Sequence, residues 1–166
     1  MKTAGEAFEI TKRYATEAPV RVIDLARELG LGPVFEALPG NISGLLRRRP
    51  DGEWEIVVNQ AHAQVRQRFT IAHEIGHFIF HRDRLANGVS DTLAYRADDV
   101  EMPNPNIGWE QERQANNFAA NLLIPTPFLR AAQAAGIVDD QALAERFQVS
   151  RAAMRIRLGL PMEVAA

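Results

Sequence analysis

The stretch Phe69-Thr70-Ile71-Ala72-His73-Glu74-Ile75-Gly76-His77-Phe78-Ile79-Phe80 is apolar almost all the way round a helix, yet it carries two histidines and a glutamate. A helix that is apolar on every side is a buried one. Buried imidazoles and carboxylates must then find partners, because an unpaired buried polar group costs several kcal/mol. Within the stretch, His73-Glu74-Ile75-Gly76-His77 has H-E-x-x-H spacing. Residues four apart on a helix share a face with β-carbons about 5–6 Å apart, so both imidazoles can converge on one ion at about 2.0–2.1 Å. Glu74, beside the first of them, lies close enough to touch a metal-bound water without being a ligand. That is the arrangement for a zinc-activated water with a carboxylate base. A five-residue pattern also arises by chance on amphipathic helices, but one ion would satisfy all three buried groups here. Gly76 costs roughly 1 kcal/mol against Ala in a helix and predicts a close neighbour. His81 lies one turn further, about 6 Å along the axis, and is read as a supporting or rim residue. His62 reads as isolated and exposed.

Catalytic zinc takes three protein ligands and keeps one position open. The chain has no cysteine, so the third ligand must be His, Asp or Glu. The best source is a helix from Trp109 to Ile124, stopped by Pro125. There Glu112, Ala115, Asn116, Ala119 and Leu123 make one face of mostly small residues, which lets the helix approach a neighbour closely. Glu110 falls on a different face. By spacing alone, Glu112 is equally an ordinary solvated charge favoured by the dipole at a helix start.

Outward from these helices, the amino-terminal part reads as two more, from about Glu6 to Glu17 and, after Pro19, one with Ile23, Leu25, Ala26 and Leu29 as its apolar face. From Val34 to Asn59 the period shortens to that of strands, and Pro50-Asp51-Gly52 joins Ile42–Arg49 to Trp54–Asn59 as a hairpin. The run Arg47-Arg48-Arg49 is read as a solvated strand edge that resists aggregation. Asp83 to Gly108 reads as a long loop, a length usual for functional or mobile segments. Three short helices close the chain, at about Pro127–Ala135, Asp140–Phe147 and Ser150–Leu158. The fold class predicted is α+β, a small twisted sheet packed on the helix that carries His73 and His77. Residues 1–126 form the catalytic part and 127–166 a helical, helix-turn-helix-like segment.

The length, 166 residues with 46% apolar and 24% charged, is that of an ordinary globular chain of one domain or slightly more. A net charge of −2 argues against tight, charge-driven binding of nucleic acid by the whole chain. Neither a signal peptide nor a membrane span is legible, so the expected location is the cytoplasm.

Taken together, Phe69-Thr70-x-Ala72-His73-Glu74-x-Gly76-His77 and Glu112-x-x-Ala115-Asn116-x-Phe118-Ala119-Ala120-x-Leu122-Leu123-x-Pro125 resemble the ImmA/IrrE family of bacterial and phage metallopeptidases. The likeness extends upstream to Ile42-Ser43-Gly44 and Val58-Asn59. Downstream it takes in Leu143-Ala144-x-x-Phe147-x-Val149-Ser150-x-x-Ala153-Met154, so that it covers most of residues 20 to 160. The resemblance implies a zincin-like fold, a zinc endopeptidase, and Glu112 as third zinc ligand beside His73 and His77. Members often carry an acidic residue where this chain has Gln114. Some fuse a DNA-binding domain at the amino terminus, for which this chain has no room. The family's substrates are regulators of helix-turn-helix type, so the implied role is cleavage of such a repressor to derepress genes, as in stress responses.

The chemistry expected is peptide hydrolysis with Glu74 as general base. Tyr95 and Arg96, in the long loop, are the candidates for stabilising the oxyanion. Trp54–Asn59 is a candidate edge strand for taking an extended substrate by strand addition. The last helices, with Arg151, Arg155 and Arg157, resemble a helix-turn-helix. From Pro127 onward, however, there are five Arg against four acids, so direct DNA binding is not expected and closure of the domain is the preferred reading over protein docking. The alternative function is a regulatory binding module that keeps the metal fold and docks to a regulator or DNA. An intact Glu74 favours the enzyme.

Overall fold

The computed structural model describes residues 1–85, 89–93 and 107–161, with the backbone alone described at 89–93. Among the described residues it is an α+β fold of seven α-helices and four strands. Helices α1 (Ala4–Tyr14) and α2 (Val22–Glu28) lead into strands β1 (Val34–Glu36), β2 (Ile42–Arg48) and β3 (Trp54–Asn59). Helix α3 (Gln64–Phe80) precedes strand β4 (Val89–Leu93), and helices α4 (Trp109–Leu123), α5 (Thr126–Ala134), α6 (Asp140–Phe147) and α7 (Arg151–Arg157) follow.

The local chemistry explains most of these boundaries. Thr3 caps α1, accepting from the Glu6 amide at 3.2 Å while Glu6 accepts from the Thr3 amide at 2.8 Å, a reciprocal capping box. That start is earlier than the sequence predicts. The expected hairpin forms with Gly52 at φ +87°, a left-handed conformation that glycine takes without penalty. Asp139 and Ser150 cap α6 and α7 by accepting from the amides of Ala142 and Ala153 at 2.9 and 3.1 Å.

The sheet order is β1-β3-β2-β4, with β1 parallel to β3 and the other pairs antiparallel. This corrects two expectations. Strand β3 is interior, with Ile56, Val57 and Val58 wholly buried, so it is not an edge open to substrate; among the described residues β1 and β4 are the outer strands. The arginine run is not on an edge strand either, since β2 lies between β3 and β4. Its charges are met locally. Arg47 donates to Glu36 at 2.8 Å and Glu55 at 2.7 Å, Arg49 pairs with Asp51 at 2.6 Å, and Arg48 donates to the Gly52 carbonyl. Strand β4 also falls inside the segment read from sequence as a loop.

Helix α3 runs through the middle of the molecule, with Thr70 to Ile79 buried without a break. β2 closes on one side, where Gly44 comes so near that a β-carbon there would sit 2.5 Å from Thr70 Cγ2 and 2.5 Å from the Val57 carbonyl oxygen. Helices α1, α2 and α4 pack on it as well. The core continues into the last helices through Leu129, Leu143, Phe147, Val149 and Met154. Buried Arg68 of α3 adds a polar tie, donating to the carbonyls of Gln148 at 3.1 Å and Val20 at 2.9 Å.

Candidate metal centre

Helices α3 and α4 meet where the sequence places its polar buried residues. Gly76 makes this possible: a β-carbon on it would lie 3.1 Å from Phe118 Cδ1 and 3.3 Å from Ala115 Cα. The two helices therefore approach at the small-residue face of α4, and Glu112, one turn before Ala115, is carried to α3. Its carboxylate oxygens lie 3.2 Å from His73 Nε2 and 3.1 Å from His77 Nε2, and the two Nε2 atoms are 3.0 Å apart. Ligand atoms about 2.0–2.1 Å from a tetrahedral ion would be separated by about 3.3 Å. Among the described residues, this is the one group of three or more His, Asp or Glu side chains that can hold a metal. Glu74, wholly buried, stands next to His73 on the same helix.

The donor set itself calls for a cation. His73 Nδ1 lies 2.9 Å from Asn116 Oδ1, an acceptor that favours the tautomer with its proton on Nδ1 and its Nε2 lone pair toward Glu112. On the other side, His77 Nδ1 lies 3.0 Å from His81 Nδ1, and His81 Nε2 lies 3.0 Å from Gln114 Oε1. The protonation states fit as well. Burial drives the His77 pKa down to about 4, against the pull of Glu112, so this imidazole is neutral at pH 7. Burial works to raise Glu112, but its contacts with the His73 and His77 ring nitrogens outweigh it and hold the carboxyl at about 2. A neutral imidazole and an ionised carboxylate are the forms that bind metal without first releasing protons. Placement in the first turn of α4 adds the favourable field of the helix start.

The structure thus brings His73, His77 and Glu112 together, and Glu74 follows His73 on α3, buried. Tyr95 and Arg96 lie outside the described residues. His81 is buried and supports His77, as its position predicts. His62 departs from expectation. It is half-buried, its Nε2 lying 3.2 Å from the Gly40 carbonyl and 3.4 Å from Asn59 Nδ2. Sequence reasoning gives no role to Asn116 or Gln114. For Asn116 the signal was present, since it stands four residues after Glu112 on the same face. Gln114 gives no such signal, because only the tertiary path of His81 turns it into a partner.

The model of the IrrE N-terminal-like domain (Peptidase_M78) matches residues 26–159. A solved structure described as a Mycobacterium tuberculosis transcriptional regulator superposes with a TM-score of 0.62 at 22% identity, over 95% of this chain and 46% of the regulator. The likeness is one of backbone fold, and the chain spans less than half of that regulator. No curated protein matches the chain significantly.

Proposed function

The chain belongs to the family of the IrrE N-terminal-like domain, Peptidase_M78, and on that premise we propose that it is a zincin-like, zinc-dependent endopeptidase that cleaves a regulatory protein. The observation that carries this reading is the convergence of His73 Nε2, His77 Nε2 and the Glu112 carboxylate within 3.0–3.2 Å of one another, with Glu74 buried next to His73 in the chain. Three protein ligands on two rigid helices leave the open fourth position of a catalytic site.

Zn2+ bound there would polarise a peptide carbonyl and lower the pKa of a coordinated water towards neutrality. Glu74 would take the water's proton and deliver it to the leaving amine. Asn116 would keep His73 in the ligating tautomer. Tyr95 and Arg96 are proposed to stabilise the developing oxyanion. Strand β4, at the sheet margin, offers backbone groups for strand addition by an extended substrate. The class of substrate we propose is a transcriptional regulator of helix-turn-helix type, on the strength of the family resemblance.

The test is a pair of measurements on one set of variants. His73→Ala, His77→Ala and Glu112→Ala should each lose zinc by metal analysis of the purified chain. Glu74→Gln should keep the zinc and still capture the regulator that co-purifies, while its cleavage falls at least about 100-fold. Full cellular activity of Glu74→Gln would overturn the enzymatic reading and make docking the function.

A further inference from the structure

We propose that Gln114, through His81, selects the tautomer in which His77 can ligate metal; both are positioning residues for the centre, and the inference rests on the metal reading above. The geometry is a chain of three groups spaced 3.0 Å apart, His77 Nδ1 to His81 Nδ1 and His81 Nε2 to Gln114 Oε1. Every neutral imidazole has one N–H and one lone pair, so the chain admits only two ordered states.

With the amide oxygen of Gln114 accepting, His81 carries its proton on Nε2 and its Nδ1 is an acceptor. His77 must then donate from Nδ1, and its Nε2 lone pair points at Glu112 and His73. Were the Gln114 amide reversed to donate, each proton would move across its ring. His77 would carry N–H on Nε2, the atom 3.1 Å from Glu112 and 3.0 Å from His73, and could not ligate. One side-chain amide on α4 thus decides whether a ligand on α3 is in its binding form.

His73 needs no such chain, because Asn116 reaches its Nδ1 directly. The two ligands are therefore served at different ranges by the same helix, Asn116 by one bond and Gln114 by two. Both imidazoles of the chain are buried, at 1% and 3% exposure, so water does not readily substitute for either contact.

The experiment uses the full chain loaded with Zn2+ and nitrogen-15-labelled histidine, and reads the tautomers from long-range proton–nitrogen correlations. His81 should carry its proton on Nε2 and His77 on Nδ1. Zinc affinity, measured by competition with a chromophoric chelator, gives a second readout. Gln114→Met keeps the size but removes the acceptor and should weaken zinc binding about 10-fold, the low end for losing an orienting partner. Gln114→Glu, an acceptor with no donor, should preserve both the affinity and the tautomers. Equal weakening in the Met and Glu variants, or a His81 proton on Nδ1 in the zinc-loaded wild type, would overturn the proposal while leaving the metal site standing. A wild-type chain that takes up no zinc would instead overturn the metal reading, and this inference with it.

Discussion

Replacing Gly76 by Ala tests whether the approach of α4 to α3 is what builds the centre. The substitution has two opposed effects. An alanine in a helix interior is favoured over glycine by about 1 kcal/mol. Its β-carbon, however, would meet Phe118 Cδ1 at 3.1 Å and the Ala115 Cα at 3.3 Å, both inside the roughly 3.5–4.0 Å of relaxed carbon contact. The Phe118 ring can tilt, but Ala115 Cα is backbone, so α4 itself must retreat by about 0.3 Å to restore contact distance. Overpacking of this kind costs about 1–3 kcal/mol, which leaves a net loss of roughly 0–2 kcal/mol once the propensity gain is counted. The larger effect falls on the site. Glu112 moves with Ala115, and a retreat of about 0.3 Å uses up most of the roughly 0.5 Å within which a binding constellation keeps its geometry. Zinc affinity should therefore drop, by up to about 10-fold. Urea unfolding of the metal-free protein and a chelator competition read the two quantities separately. A variant stabilised by the full 1 kcal/mol or so, with unchanged zinc affinity, would refute the view that Gly76 sets the helix separation.

Acid should weaken the metal-free protein through His77. Its pKa is about 4 when folded against 6.5 otherwise, so the unfolded chain takes the proton first as pH falls. Stability is then full above pH 6.5 and declines by about 3 kcal/mol as pH drops to 4; His77→Leu should flatten this slope in urea titrations at successive pH values. Changing Arg151 and Arg155 together to Gln should lower the melting temperature by stripping buried Asp140 of both guanidiniums, and adding Asp140→Asn should recover part of the loss; an unchanged melting temperature would show the ion pairs to be idle. Tyr95→Phe and Arg96→Gln should leave zinc content intact, and replacing whichever residue stabilises the oxyanion should lower kcat about 100-fold, so full activity in both variants would remove both residues from the chemistry.

How far the sequence speaks depends on the range of the interaction. The α3 helix was legible because its signal is doubled, an apolar circumference plus polar groups at ligand spacing. The hairpin was legible because turn chemistry at Pro50-Asp51-Gly52 is local. Helices α6 and α7 start at caps that act over three residues, Asp139 and Ser150, so their beginnings too are set locally. Strand β4 was not, since Val89-Ser90-Asp91-Thr92-Leu93 is short and lies among loop-forming residues; it gains its conformation by pairing with β2. The same reason explains β3. Its composition reads as a strand, but whether it is central or marginal is decided by the parallel pairing of Val34–Glu36, a contact with no local signature. At the centre, ligand spacing within α3 was written in the sequence. The choice of Glu112 over a solvated charge is left open by spacing, and Glu112 as third ligand is what the family resemblance implies. The distances between Glu112 and the two imidazoles arise only when two helices meet, as does the contact between Gln114 and His81.

The arginines of the last helix are engaged within the chain. A helix that reads DNA offers cationic and polar side chains to phosphates and bases. In α7, Arg151 and Arg155 both turn to Asp140 at the start of α6, and Arg157 donates to the Thr126 hydroxyl at 2.7 Å and the Ile124 carbonyl at 3.3 Å. Reaching for a duplex would break these contacts, and Asp140, only 7% exposed, would be left as a buried carboxylate without them. The turn between the helices is committed too. Gln148 adopts the left-handed conformation at φ 53°, and its carbonyl accepts from Arg68, five residues before His73 on α3. Burial disfavours the Arg68 charge, so a guanidinium retained there must be held by those carbonyl contacts. The helix pair is thereby fastened to the helix that carries two of the three candidate ligands, and its apolar side completes the core around Phe147 and Met154. Disturbing it would reach the metal centre through α3 without touching a ligand.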